Sequence, residues 1–105
     1  MNYCVISGKI CSDLTIDLNK TNNVCKFTIK NLYYDSNKSV QVPTLVRCLA
    51  YGTLADYVYN EMYAGCEVLV TGRIIFKRYL VNNQNFDKMY VACTTVSKLE
   101  QEEYN

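Results

Sequence analysis

The sequence contains no histidine, and this absence bears on both catalysis and metal binding. A cysteine nucleophile would lack its usual imidazole base. A zinc site would need four scattered cysteines, because no two of the six are spaced as a CxxC pair. The chain also has no P-loop, no nucleophile elbow and no evident pair of catalytic carboxylates. We therefore expect a protein that is not an enzyme and that holds neither a metal nor a cofactor.

Long hydrophobic runs are missing too. Apolar runs such as residues 68–70 are short, whereas a membrane-spanning helix needs about 20 apolar residues. The N-terminus lacks the charged and then apolar pattern of a signal peptide. Most of the six cysteines fall inside runs typical of strands, which favours small buried side chains over a disulfide framework. We expect a soluble protein that is neither secreted nor bound to a membrane.

The chain does have enough apolar sequence for one packed domain. It has 105 residues, half of them apolar and a fifth charged, which is ordinary for a globular protein. The net charge of +1 hides an uneven distribution. Residues 18–34 and 68–86 contain only basic charges, namely Lys20, Lys26, Lys30, Arg73, Lys77 and Arg78. These charges are either scattered on the surface or gathered by folding into one basic face.

Polar clusters divide the chain into five segments that favour strands. Residues 19–23, 35–39 and 82–85 are rich in turn-forming residues and predict hairpin loops. The segments rich in Val, Ile, Thr, Tyr and Phe predict strands at residues 2–11, 24–34, 40–51, 66–81 and 86–99. Alternation within residues 24–34 predicts that Cys25, Phe27 and Ile29 face the core and that the lysines face outward.

Alternation in the fourth segment predicts the same division into two faces. Val68, Val70, Gly72, Ile74 and Phe76 share the apolar face, and the opposite face is open to a ligand. The glycines at positions 8 and 72 fall inside strands, where a barrel must bend sharply.

Residues 53–62 break the strand pattern. Leu54, Val58 and Met62 recur every four residues, which predicts a short amphipathic helix. Thr53 is the expected N-cap, and Gly65 is the expected left-handed residue at its C-terminal end. Three strands, a helix and two further strands predict an all-β, five-stranded Greek-key barrel with one helix between strands 3 and 4, which is the oligonucleotide/oligosaccharide-binding (OB) fold.

Four stretches of the chain resemble the bacterial and phage single-stranded DNA-binding protein family. They are residues 2–10 followed by Asp13, residues 25–29, residues 46–55 and residues 65–74. The last two are the most specific. In residues 46–55, an aromatic residue and a glycine precede Leu54 and Ala55 at the start of the helix. In residues 65–74, two valines two residues apart precede Gly72 and Arg73. The resemblance covers residues 1–99, with a short acidic end at residues 100–105.

The resemblance implies which aromatic residues contact DNA. Family members stack bases on tryptophans and a phenylalanine, but this chain has no tryptophan. The matching positions are Tyr51, Tyr79 and, with an uncertain loop register, Tyr34, whereas Leu45 occupies a position where a stacking ring is lost. The acidic end lacks the Pro-Phe tip by which many members recruit replication and recombination proteins. The resemblance thus favours a phage, plasmid-borne or accessory version, acting in the cytoplasm of a bacterial or phage-infected cell.

The predicted function is therefore sequence-independent binding of single-stranded DNA during replication, recombination, repair or phage growth. Tyrosines would stack on bases, and lysines and arginines would contact phosphates. The candidate DNA-binding residues are Tyr34, Tyr51, Tyr79, Lys26, Lys30, Arg47, Arg73, Lys77 and Arg78. For Tyr3, Tyr57, Tyr59, Tyr63 and Tyr90 a structural role or a subunit contact is favoured.

Other functions remain open at this level. Family resemblance implies a homo-oligomer, with a tetramer favoured over a dimer. The chain also resembles the dimeric primosomal replication protein, in which a barrel of this fold mainly docks a helicase or primase. The fold alone is equally compatible with a structural adaptor or a sugar-binding barrel.

Overall fold

Six strands and one helix form a single barrel in a computed structural model that describes residues 1–18 and 22–99. The elements are β1 Cys4–Ile10, β2 Thr15–Leu18, β3 Asn23–Asp35, β4 Val40–Tyr51, α1 Thr53–Glu61, β5 Glu67–Val81 and β6 Gln84–Lys98. The five predicted strands and the helix are all present, with ends displaced by at most two residues. The short strand β2 was not predicted.

The strand order closes the sheet on itself. Neighbours along the sheet are β1-β5-β6-β4-β3-β2, and β1 also pairs with β3 through Lys9 and Ile10. Because β1 and β2 both pair with β3, they are two halves of one barrel strand that is interrupted between Ile10 and Thr15. The result is a five-stranded barrel with α1 between its third and fourth strands, which confirms the OB fold.

In the body of the barrel, core and surface residues alternate along the strands as predicted. Cys25, Phe27 and Ile29 are buried, and Lys26 and Lys30 are exposed. Leu54, Val58 and Met62 of the helix segment pack against the same core. All six cysteines are free thiols. The thiols at positions 25, 48 and 66 are buried, whereas Cys11 is exposed and does not belong to the core.

The two predicted helix caps are wrong. The N-cap is Gly52, with φ 64°, and no side chain caps the helix, so Thr53 is the first helical residue. The helix ends at Glu61, and the amide of Met62 donates to the Val58 carbonyl at 2.9 Å. Gly65 has the expected positive φ of 94°, but it lies beyond the helix and donates its amide to the Ile10 carbonyl. It therefore shapes the approach to β5.

Both strand glycines allow close backbone contacts. A β-carbon on Gly8 would lie 2.6 Å from the carbonyl oxygen of Lys30, and one on Gly72 would collide with the carbonyl oxygen of Ala92. A β-bulge falls between Thr71 and Gly72, and a bulge bends a strand and increases its twist. The β5–β6 hairpin changes direction at this point.

The β5–β6 hairpin extends beyond the barrel as a two-stranded arm. Ile74 and Phe76 were predicted on the buried face, but they are 39% and 67% exposed because the arm leaves the core after Gly72. The arm ends in a turn at Asn82 and Asn83, both with positive φ, as a type I′ hairpin turn requires. The predicted four-residue loop at 82–85 is therefore only two residues long, and β6 begins at Gln84.

Several predictions fall wholly or partly outside the described residues. These are the basic residue Lys20, most of the predicted loop at 19–23 and the acidic end at 100–105. Within the described part of the chain, no helix is long and apolar enough to cross a membrane.

Candidate nucleic-acid interface

Strands β3 and β4 place four of the candidate residues on one outer face of the barrel. Their neighbours along the chain, such as Phe27 and Cys48, are buried in the core. Because successive strand residues point to opposite faces, the four candidate side chains point outward. Thr28 lies opposite Arg47, and Lys30 lies opposite Leu45 in the antiparallel register. The outer positions of these two strands include Lys26, Lys30, Arg47 and Tyr51. Tyr51 lies at the end of β4, opposite Val24, and is half-buried.

The β5–β6 arm adds aromatic and basic side chains in register. Tyr79 lies opposite Phe86, and Lys77 lies opposite Lys88. Because residues two apart share a strand face, these four side chains lie on one side of the arm. Arg73 has the same parity, opposite Ala92, and is exposed. Two rings and two ammonium groups are thus adjacent on one surface.

A hydrogen bond between two tyrosines fixes Tyr79 in this surface. The hydroxyls of Tyr79 and Tyr90 are 3.0 Å apart, and Tyr90 is only 7% exposed. The ammonium of Lys88 lies 5.2 Å from the centroid of the Tyr79 ring, within the range of a cation–π contact. Tyr90 therefore serves as a buried support, and Tyr79 remains accessible at the surface.

The electrostatics of the two tyrosines differ because of their surroundings. The hydrogen bond with Tyr90 lowers the pKa of Tyr79, and the charges of Lys26, Lys77 and Lys88 lower it further. The same hydrogen bond, together with burial, raises the pKa of Tyr90. A phenolate on Tyr79 would be stabilised by positive charge from three strands, β3, β5 and β6.

Charged residues of the barrel face also act on the tyrosines of the β5–β6 hairpin. Lys26 on β3 acts on Tyr79, and Arg47 on β4 acts on Tyr90. A groove of about 250 Å³ runs between them, lined by Lys26, Thr28, Arg47 and Tyr90 together with residues of the β1–β2 segment. The structure therefore brings Lys26, Arg47, Lys77 and Tyr79 together, although they come from three strands.

Arg78 and Tyr34 do not join this group. Arg78 lies on the opposite face of the arm from Tyr79 and forms an ion pair with Asp87 at 3.0 Å, which offsets its charge locally. Tyr34 has the outward parity of β3, but it lies far along the β3–β4 hairpin, opposite Gln41, and is exposed.

Sequence reasoning missed Phe86 and Lys88 and assigned Tyr90 no part in the site. All three follow from the hairpin register, since a two-residue turn at Asn82 and Asn83 pairs Tyr79 with Phe86. The adjacent asparagines were a signal for that turn, because Asn tolerates positive φ better than most residues. The predicted loop at residues 82–85 is two residues longer than the observed turn, so it does not yield the pairing of Tyr79 with Phe86.

The assembled surface has the chemistry of a binding site for a flexible polyanion with flat bases. It has aromatic planes on Tyr79 and Phe86 and cations on Lys26, Arg47, Lys77 and Lys88. Within residues 1–18 and 22–99, no group of acids and cysteines is arranged to hold a metal ion. Stacking and phosphate contact require only the side chains that are present.

Comparison with known proteins identifies a family and a similar fold. The family model described as "Single-strand binding protein family" matches residues 1–100. No curated protein sequence matches the chain. Among solved structures, the chain is similar to the Plasmodium falciparum protein described as "SSB complex with ssDNA", with a TM-score of 0.85 at 18% sequence identity. That match covers 95% of this chain and 96% of the other, so the likeness extends over the whole fold.

Proposed function

The chain belongs to the single-strand binding protein family, and from this premise we propose that it binds single-stranded DNA without reading its sequence. Tyr79 carries this proposal, because its hydroxyl is hydrogen-bonded to that of Tyr90 and the charges of Lys26, Lys77 and Lys88 act on it. Members of this family are non-enzymatic DNA-binding proteins, and nothing in the site calls for chemistry beyond stacking and ion pairing.

The face is suited to bases of any identity. Every base has a flat surface that stacks on an aromatic ring, and such a contact is worth about 1–3 kcal/mol by alanine substitution. Phosphates are the same at every position, so lysines and arginines also bind without regard to sequence. Tyr79, Phe86 and the neighbouring cations supply both kinds of contact. The path for DNA runs along the arm and onto the face of β4 and β3, past Arg47.

The biological setting proposed for this activity is protection of single strands during replication, recombination or phage growth. Family membership supports it. A homo-oligomer, with a tetramer favoured over a dimer, would let one strand contact several protomers. Replication or recombination proteins are the expected protein partners.

Replacing Tyr79 with alanine tests the proposed stacking surface. Tyr79→Ala should weaken binding to a dT oligomer by about 1–3 kcal/mol, which is roughly 5-fold to 150-fold, and the loss should persist at moderate salt because stacking does not depend on counterions. The measurement is a fluorescence titration with labelled oligomer at two or more salt concentrations.

Tyr57→Ala is the matched control, because Tyr57 is exposed on the helix and outside the proposed path. Its affinity should equal that of the wild type. Equal affinity of Tyr79→Ala and the wild type would exclude Tyr79 from the site. A wild-type protein that prefers duplex DNA would contradict the proposed function itself.

A further inference from the structure

Free thiols gather inside the barrel around a strand position that has no side chain. Gly72 of β5 lies opposite Cys4 of β1 on one side and opposite Cys93 of β6 on the other. Both cysteines are half-buried and pack against the core, and the buried thiols of Cys25 and Cys48 belong to that core. Stacking on bases and contact with phosphates use none of these thiols, so they are open to a separate role.

Two of the thiols, those of Cys48 and Cys93, lie on paired strands. Cys48 of β4 lies opposite Val91 of β6, and Cys93 follows Val91 by two residues on the same face of β6. The Cys93 thiol donates to the Val91 carbonyl oxygen at 3.7 Å, which turns it toward the position opposite Cys48.

The other two thiols lie on more distant strands. In the part of the chain that the structure describes, β1 and β3, which carry Cys4 and Cys25, do not pair with β6. A disulfide joins side chains whose backbones lie close together. Cys48 is therefore the favoured partner of Cys93.

The two members of this pair differ in access and in proton affinity. Cys48 is fully buried, and a hydrogen bond with the Cys93 thiol, together with burial, raises the pKa of Cys48. Cys48 therefore stays protonated and acts as a donor. Cys93 is half-buried, so a small oxidant from solvent reaches it first. An accessible thiol next to a second thiol that can resolve its oxidised form is the arrangement of reversible thiol oxidation.

We propose that Cys48 and Cys93 form an oxidation site, which hydrogen peroxide converts into a disulfide between β4 and β6 of one chain. The sulfur of Cys93 attacks a peroxide oxygen, the O–O bond breaks, and hydroxide leaves with the thiol proton as water, which gives a sulfenic acid. The sulfur of Cys48 then attacks the sulfur of Cys93. The S–O bond breaks, and the departing hydroxide takes the Cys48 proton as a second water. Two thiols are oxidised, and one peroxide is reduced.

This disulfide would alter the proposed DNA site, because both strands that it joins line the same groove. The groove of about 250 Å³ is lined by Arg47, Cys48 and Tyr90, among others. A disulfide holds its sulfur atoms about 2.0 Å apart, which draws β4 and β6 together beneath Arg47 and Tyr90. The oxidised protein should therefore bind single-stranded DNA more weakly. This consequence rests on the proposed function, whereas the oxidation site itself does not.

Mass spectrometry tests the oxidation site directly. The full chain is treated with hydrogen peroxide, unfolded in the presence of an alkylating reagent and digested without reduction. The wild type should lose two of its six free thiols and yield a peptide pair that links positions 48 and 93. Retention of all six thiols would overturn the inference, as would a disulfide from Cys93 to Cys4 or Cys25, or one that forms only between two chains.

Variants of the two cysteines test the order of the steps. Cys48→Ala should form no such disulfide and should instead accumulate a sulfenic acid at Cys93, which dimedone captures. Cys93→Ser should leave Cys48 as a free thiol, and because position 93 is half-buried, this variant carries the test if Cys48→Ala is unfolded by circular dichroism. Oxidation of Cys48 in Cys93→Ser at the wild-type rate would contradict Cys93 as the first thiol to react.

Cys11→Ser is the matched control, because Cys11 is the exposed thiol outside the core. It should form the same disulfide as the wild type; loss of the disulfide in Cys11→Ser would contradict direct attack of peroxide on Cys93.

Titration with a dT oligomer separates the oxidation site from the proposed function. The oxidised wild type should bind more weakly than the reduced wild type, and a reducing agent should restore its affinity. Peroxide should leave the affinity of Cys93→Ser unchanged. Equal affinities of the oxidised and reduced wild type would refute the effect on the groove. Failure of the reduced wild type to bind any oligomer would refute the proposed function, while the peptide that links positions 48 and 93 would still support the oxidation site.

Discussion

At the residue scale, the proposed role of Tyr79 depends on its cross-strand neighbour Tyr90. Its hydroxyl is 3.0 Å from that of Tyr90, and its pKa is lowered by that contact and by three lysines. Above its pKa the ring would carry a negative charge next to a polyanion. The affinity for DNA should therefore fall as the pH rises through the lowered pKa of Tyr79, at a lower pH than an isolated tyrosine would produce.

Replacing Tyr90 with phenylalanine tests this coupling. The hydroxyl that stabilises the Tyr79 phenolate is removed, so the pKa of Tyr79 should rise. The fall in DNA affinity at alkaline pH should shift upward with it. The measurement is a pH titration of the tyrosine ring carbons by nuclear magnetic resonance, together with oligomer binding across the same range.

Tyr63→Phe is a suitable control, since Tyr63 lies after the helix and contacts Lys98 instead of the arm. It should leave the titration of Tyr79 unchanged. An unchanged Tyr79 titration in Tyr90→Phe would show that the lysines alone set its acidity.

Residue-level prediction from the sequence succeeded where alternation was enough. Lys26 and Lys30 were placed on the outer face of β3 because Cys25, Phe27 and Ile29 form an obvious apolar row. Arg78 was chosen for its proximity to Tyr79 along the chain, but adjacent strand residues point to opposite faces, and it pairs with Asp87 instead. Cross-strand contacts cannot be read without the register, which a single turn determines.

At the scale of elements, the direction of the β5–β6 arm is set at Gly72. The arm carries Tyr79, Phe86, Lys77 and Lys88, so the bulge between Thr71 and Gly72 orients the proposed site. The sequence marked Gly72 as a bend, but it gave no measure of the direction taken afterwards. That is why Ile74 and Phe76 were predicted to be buried, although both are exposed on the arm.

Gly72→Ala tests the importance of this close contact. An added methyl group would collide with the Ala92 carbonyl oxygen, and overpacking of this kind costs about 1–3 kcal/mol. We expect a lower free energy of unfolding by urea denaturation and weaker binding of dT oligomers by the folded fraction.

The comparison variant is Ser7→Ala, which alters an exposed side chain on neighbouring β1. It should unfold at the wild-type urea concentration. A Gly72→Ala protein as stable as the wild type would show that β5 and β6 can separate at the bulge at little energetic cost.

At the scale of the whole molecule, one sheet edge is incomplete within the described chain. Residues 4–8 of β1 pair with β5 on one side, whereas pairing with β3 begins only at Lys9. Unpaired strand edges readily pair with another chain. Val5 lies on this strand and is 56% exposed, and Tyr3 beside it is also exposed. The proposed homo-oligomer therefore has a ready contact at β1, which would extend the sheet from one protomer to the next.

Val5→Asp tests the contact at β1. Because Val5 is exposed, the substitution should leave the barrel folded, but a buried carboxylate in an interface carries a large desolvation penalty. Light scattering should show an oligomer for the wild type and a smaller species for the variant. Leu80→Asp is the control, since Leu80 is 69% exposed on the arm, away from β1, and it should retain the wild-type mass. A wild-type protein that is monomeric at the concentrations used for DNA binding would contradict assembly altogether.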